Sequence, residues 1–274
     1  MLRGFEIATG TVAGRTHALA GRASQDAHVL REEKGHLVAV VADGCGSGEQ
    51  SEVGAVFGAN VVVTSVLRAL DEGESLGDER TWGLVRARSV EAIRTAARAM
   101  GGDLEEVVRR CFLFTVVGLA ISGDRAAVFA AGDGLVAVNG EIVRLGPFPG
   151  NAPPYLGHAL LSGNPGAQSD IVVVRSLPSA DVESVLLATD GADEWPAIEK
   201  KRIPGTSEVV GPLRGLWEDD RCFENPDALR RKLWRMNRPL AKPIWEERRM
   251  ERETGLLEDD TTVVVVRRKK RDSP

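Results

Sequence analysis

The chain has 274 residues, 40 acidic against 35 basic side chains and a formal net charge of −5, with 43% apolar and 27% charged residues. That composition belongs to a globular protein with a full core. It excludes a broadly basic nucleic-acid surface, and no apolar run reaches the about 20 residues that span a bilayer. Three cysteines without a CxxC pair exclude a disulfide framework and a thiolate zinc centre. With an N-terminus that lacks an apolar signal core, the expected setting is the cytoplasm, with no membrane and no nucleic-acid partner.

The first predicted element is a strand in "RGFEIATGTV", punctuated by Gly14. "DAHVLREEKGHLVAVVADG" reads as a hairpin, two apolar runs about a polar turn. Over 50–70 the period changes. Val53, Val56, Phe57, Val61 and Leu67 recur at helical spacing and predict a helix with that apolar face, with Ser47 placed to cap it. A second helix is predicted over 79–100, with Trp82, Val85, Val90 and Ile93 on its face and Gly101-Gly102 ending it. Strands return from Cys111: "CFLFTVVGLAI" and "RAAVFAAG", then "LVAV" and "EIVRL" about Asn139-Gly140. A Pro/Gly-rich loop follows, then "DIVVVRSL" and "SVLLATDG". The stretch 196–225 reads as a loop-rich insertion, 226–252 as a charged helix kinked at Pro239 and Pro243, and "TTVVVVRR" as the last strand before a basic tail at 268–274. No repeat or linker divides the chain, so 1–274 reads as a single domain. Hairpin-linked strands in blocks, with helices in separate blocks, predict an α+β fold with antiparallel sheets.

The functional signal is a recurrence. Asp43 ("VVADGCG"), Asp133 ("FAAGDGL"), Asp190 ("LLATDGAD") and the pair Asp259-Asp260 ("LEDDTTVVVV") each sit beside an apolar strand, and Asp26 ("SQDAHVL") opens another. One Asp-Gly is a turn dipeptide. Several carboxylates gathered at strand ends repel one another and require a cation. An oxygen-only donor set without paired His or Cys suits Mg2+ or Mn2+. Such a centre activates water and holds phosphate.

In this order, "QDA", "VVADGCGSG", "AAGDG", "LLATDGADE" and "DDTTVVVV" resemble the motifs of metal-dependent serine/threonine phosphatases of the 2C class, the PPM family, over most of the chain. "GDGLVAVNGEIVRL" is similar to a bacterial subgroup with GDG in place of GDSR. The resemblance implies a four-layer α/β/β/α sandwich and hydrolysis of phosphoserine and phosphothreonine on proteins by a metal-activated water. It implies two Mn2+ or Mg2+ ions bridged by Asp43, with the Gly44 carbonyl on one and Asp190 and Asp259 on the other. Asp26 would order water ligands. Asp133, with Asp190, would hold a third, weaker ion, and Glu194 is the further carboxylate. Partners implied are a phosphoprotein substrate and a cognate serine/threonine kinase. Two other readings stay open: a phosphatase-like binding or regulatory module, and a two-metal hydrolase of small phosphate esters.

Two positions depart from the pattern. An arginine expected five residues before the first aspartate is replaced by Gly21, leaving Arg22 as the candidate phosphate grip, with Arg15 and His17 nearby. A histidine common at position 45 is replaced by Cys45, read as a small packing residue. His28 reads as strand packing.

Overall fold

The computed structural model describes residues 4–163 and 169–269. Its first sheet runs, in spatial order, β1 (Phe5–Val12), β12 (Thr261–Arg268), β9 (Ser184–Ala188), β6 (Gly134–Val138) and β7 (Glu141–Leu145). The second runs β2 (Asp26–Glu33), β3 (His36–Asp43), β4 (Val116–Ser122), β5 (Arg125–Ala131) and β8 (Val172–Pro178). All pairings are antiparallel.

Period-2 alternation divides these strands between three cores. Along β3, Leu37, Ala39 and Val41 face the other sheet, where they meet Val136, Leu187 and Val264. Val38, Val40 and Ala42 face the opposite way, onto α2 (Ser51–Asp71), α3 (Glu79–Met100) and α4 (Leu104–Cys111). The first sheet's outer face, with Leu186, Val263 and Val265, packs under α5 (Trp195–Ile198), α6 (Gly215–Glu218) and α7 (Ala228–Asn237). Helices, sheet, sheet and helices form the four expected layers.

α2 matches its predicted span but not its predicted face. Val53 and Val56 are 45% and 53% exposed, while Gly54, Ala55, Gly58, Ala59, Val62 and Val66 are buried. Small residues let the helix approach closely. A Cβ on Gly54 would lie 1.7 Å from the Cys111 carbonyl oxygen, and one on Gly58 2.1 Å from Phe114 Cζ. Reading the face by bulk alone ignores the glycines. Gly58→Ala is expected to destabilise the fold by about 2 kcal/mol or more through overpacking, checked by its urea midpoint. By length and composition, α2 is apolar enough to cross a membrane, with a mean hydropathy of 1.7, but 61% of it is buried within this fold.

Other segments correct the sequence reading. The charged helix predicted over 226–252 is α7 followed by a hairpin, β10 (Leu240–Ile244) and β11 (Arg249–Glu253). Its turn puts Arg248 at φ 50°, so no Gly or Asn announces it. The 196–225 stretch is short on regular structure, but it buries Ile203, Val210, Leu213, Leu216 and Trp217 in the third core. Cys111 ends α4, and the strand predicted from it begins at Val116. A short helix, α1 (Arg15–Ala20), was unsignalled. Ser47 does not cap α2; Gln50 precedes the helix, and the Ser47 hydroxyl lies 3.1 Å from Cys45 Sγ. Of the tail predicted at 268–274, Arg268 ends β12, and 270–274 lie outside the described residues.

Candidate functional site

Register brings the first two carboxylates together. Asp26 and Asp43 are directly opposed across β2 and β3. Asp43 continues the Leu37–Ala39–Val41 face, so both point between the sheets at one end. Like charges directly opposed across strands are destabilising. From the other sheet, Ala188 of β9 pairs with Val263 of β12, which brings the residues beyond them, Asp190 and Asp259, to the same end. Asp133 arrives on the crossover from β5 to β6. Asp43, Asp133, Asp190 and Asp259 line one cavity of about 300 Å³ together with Gly44, Cys45, Thr115, Tyr155 and His17. A larger hollow of about 520 Å³, between α3 and β8, has no comparable carboxylate cluster.

The carboxylates are held in an environment hostile to their charge. Asp26 is buried. Thr189 Oγ1 donates to its Oδ2 at 2.7 Å, while Oδ1 has no partner. Burial pushes Asp26 up to about 8; the Thr189 hydrogen bond opposes this, and the charges of Asp260 and Asp190 add to it. Burial, then the charges of Asp26, Asp190 and Asp259, hold Asp43 well above the carboxylate range. Asp190 rises to about 6 through burial and the charges of Asp259 and Asp133, and its Oδ1 is also buried without a partner. Burial raises Asp133 as well. Among the described residues lining this cavity, His17 is the only base. Buried oxygens without hydrogen bonds, several carboxylates and no lysine or arginine to balance them fit hard divalent cations.

The two adjacent acids before β12 divide into different roles. Asp260 is buried and accepts the backbone N–H of Gly14 at 2.7 Å and of Gln25 at 2.6 Å, with His17 Nδ1 at 2.9 Å. It ties three segments behind the cavity, while Asp259 is exposed at its mouth. His17, Asp259 and Asp260 place candidate ligand atoms within 4.8 Å of one another, but the two N–H groups already engage both Asp260 oxygens. Asp260→Ala, which orphans both N–H groups, is therefore expected to cost about 3 kcal/mol. Asp259→Asn is expected to leave the thermal midpoint within about a degree, as exposed sites do. Calorimetry of the two variants checks the division.

Glu194 and Asp193 stand outside the cavity lining. Glu194 Oε2 accepts the Glu258 N–H at 2.7 Å, and Asp193 pairs with Arg144 at 3.1 Å. Arg22 is also placed elsewhere: exposed, it lines a separate depression with Glu49 and Glu52. The cause is Gly21, which ends α1 at φ 67° and turns the chain away. Arg15 is paired with Glu258 at 2.9 Å. Cys45, read as packing, lines the cavity and is half-buried. His28 does not line it; its Nδ1 lies 3.0 Å from Thr11 Oγ1.

The glycines beside the aspartates serve the chain itself. A Cβ on Gly44 would lie 2.7 Å from the Ser51 carbonyl oxygen, and one on Gly191 2.0 Å from that of Asp260. The second contact lets the turn after Asp190 lie directly on the Asp259-Asp260 segment. Gln25 and Thr189 lie inside the motifs quoted above but had no role assigned to them, and Thr115 and Tyr155 were not singled out; each sits in or behind the cavity because of tertiary packing.

The family model for protein phosphatase 2C matches residues 13–218. Comparison with curated protein sequences gave no match. Among solved structures, the chain is similar to the catalytic domain of the serine/threonine protein phosphatase PstP in complex with two manganese ions. That match has 16% identity and a TM-score of 0.51, over 97% of this chain and 99% of that one. It is also similar to PppA, a regulatory component of T6SS in Pseudomonas aeruginosa, at 19% identity and TM-score 0.51, over 97% and 98% of the two chains. A C. elegans sex determining protein matches at 17% identity and TM-score 0.51, over 96% of this chain and 65% of that one. These likenesses establish the fold: two antiparallel sheets flanked by helices. Since the family model spans well over half of the chain, including the strands that bring Asp26, Asp43, Asp133 and Asp190 together, the chain belongs to the protein phosphatase 2C family.

Proposed function

We propose that this protein is a metal-dependent phosphatase acting on phosphoserine and phosphothreonine in proteins, using Mn2+ or Mg2+. The observation that carries the reading is the opposed pair Asp26 and Asp43, backed by Asp190 and Asp259, with buried oxygens that lack partners. In this reading Asp43 and the Gly44 carbonyl, with Asp190 and Asp259, hold two ions. Asp133 with Asp190 would take a third, and Glu194 would contribute only by releasing the Glu258 N–H. Bound there, such ions acidify water and offset charge on a phosphoryl group.

The chain's own groups do the rest. Thr189 fixes the Asp26 carboxyl behind Asp43, where it would help order water ligands of the ions. Asp260 holds the His17 ring toward the cavity, where it is, among the described residues lining it, the one basic side chain available to a substrate oxygen. Tyr155 is kept protonated by burial and by Cys45 beside it, so its hydroxyl stays a donor. A water nucleophile leaves Cys45 with no covalent step to perform. A serine/threonine kinase supplying the phosphoprotein belongs to the same reading.

The test uses p-nitrophenyl phosphate and a phosphothreonine peptide with Mn2+, with EDTA, and with Asp190→Asn. Turnover is expected only with metal, and Asp190→Asn is expected to lower it at least about 100-fold. Activity that survives EDTA overturns the metal mechanism. Metal-loaded protein that turns over no phosphoester is instead a binding module. Turnover of small esters with none of the peptide assigns the site to small phosphate substrates.

A further inference from the structure

The hairpin β10–β11 belongs to neither central sheet and lies outside the stretch that the family model matches. None of its side chains is buried. An isolated two-stranded hairpin is marginal, and ordering each residue costs about 1–2 kcal/mol. This one offsets little of that within the fold. Over 240–253 four basic side chains are balanced by four glutamates, so the hairpin has no net charge, and any charge asymmetry lies in how its two faces divide them.

Register sorts the hairpin into two faces, because directly opposed residues share one. Leu240, Ile244 and Glu253 lie on the face toward the body of the protein. Glu253 Oε2 accepts the Gly205 N–H at 2.9 Å, and Leu240 sits against Gly205. The hairpin's ion pairs, Lys242–Glu253 and Arg249–Glu247, use inner-face residues and the turn. The outer face carries Ala241, Pro243, Met250 and Arg252, and Trp245 and Arg248 continue it at the turn. Trp245 is 83% exposed and Met250 51%. That face has no carboxylate, and among the described residues Arg248 and Arg252 have no ion-pair partner.

The hairpin is joined to the site. β11 leads through 254–258 into Asp259. Leu256 N–H donates to the Met236 carbonyl at 3.1 Å and Leu257 N–H to Asn237 Oδ1 at 2.9 Å, while Asn237 Nδ2 donates to the Ala13 carbonyl at 2.6 Å. α7, the hairpin's exit and the Asp259 loop therefore form one hydrogen-bonded unit.

We propose that the outer face of β10–β11 is a docking surface for an acidic stretch of the phosphoprotein substrate, an inference that rests on the phosphatase reading above. Charge complementarity selects the occupant: exposed apolar side chains flanked by unpaired arginines suit a segment that mixes acidic and apolar residues. An anionic bilayer is disfavoured, because Glu246 and Glu247 stand at the turn beside Trp245 and would meet it first.

The test compares a phosphothreonine peptide carrying a run of four aspartates with the same peptide carrying asparagines. Wild type is expected to show a KM about tenfold lower for the acidic peptide at low salt. The double variant Arg248→Glu/Arg252→Glu should erase that preference, and Trp245→Ala should weaken it, with p-nitrophenyl phosphate turnover unchanged in both. Equal KM values for the two peptides in wild type overturn the proposal, as does a variant that slows p-nitrophenyl phosphate equally. Fluorescence anisotropy with the same labelled peptides separates the two readings. Preference in binding without any turnover keeps the docking surface and rejects the phosphatase. Absence of preference in binding rejects the docking surface. Sedimentation with phosphatidylserine vesicles that depends on Trp245, without peptide preference, gives the face to a membrane and also overturns it.

Discussion

Asp43→Asn is expected to abolish phosphoester hydrolysis and at the same time to stabilise the metal-free protein. Both effects have one cause. Asp43 is directly opposed to Asp26, half-buried, and close enough to Asp190 for their carboxyl groups to share a proton. Without a cation, each added charge raises the cost of its neighbours' ionisation. Asparagine has nearly the same shape and removes one charge, so the metal-free thermal midpoint should rise by a few degrees at pH 8. With Mn2+ the order should reverse, since on the proposed reading wild type would hold the ions through Asp43 and gain stability by mass action. Turnover should fall by about 10³-fold or more, because a neutral amide would hold the proposed cations far more weakly than a carboxylate. Calorimetry with Mn2+ and with EDTA, beside a p-nitrophenyl phosphate assay, reads all three effects. A variant that is less stable than wild type in EDTA would show that Asp43 is a structural anchor rather than a strained ligand.

The second large effect is a pH dependence. Asp26 is pushed up to about 8 and Asp190 to about 6, and Asp43 is also raised. A carboxyl raised in the folded state binds protons there that the unfolded chain has already lost. The folded state therefore holds more protons between about pH 4 and about pH 8, and stability falls as pH rises through that window. Metal-free protein should melt progressively lower from pH 5 to pH 8.5. Stabilisation by Mn2+ should grow over the same range as competing protons leave, and binding should release protons. His28 and His158, held below the usual histidine value by burial, act in the opposite direction. Comparison with Asp43→Asn cancels that contribution and isolates the carboxylates. A metal-free midpoint that rises from pH 5 to pH 8.5, with the same slope in Asp43→Asn, would refute the charge-cluster account.

Much of the site was legible because it lies at strand ends. Asp43, Asp133, Asp190 and Asp259 each follow or precede an apolar run, and those runs became β3, β5, β9 and β12. Less legible were groups whose role depends on what lies across from them. Asp259 and Asp260 are adjacent and chemically identical in sequence; one is exposed at the cavity and the other is buried against two N–H groups. Arg22 was a candidate by proximity in the chain, and one left-handed glycine turned it away. The β10–β11 hairpin was hidden because its turn uses arginine at positive φ and its strands bury nothing.

Sequence alone determined the periodicities, hence the strands, the two long helices and the alternation that sends each strand's side chains to two faces. It also determined the chemistry, an oxygen-only carboxylate set without paired histidines or cysteines. Tertiary structure decided the register that opposes Asp26 to Asp43, the burial that separates Asp260 from Asp259, and the close packing behind Gly54, Gly58 and Gly191. The reason is physical. Periodicity is a local property of the chain, whereas charge repulsion, desolvation and steric fit are properties of pairs, and members of such pairs can lie 246 residues apart, as Gly14 and Asp260 do.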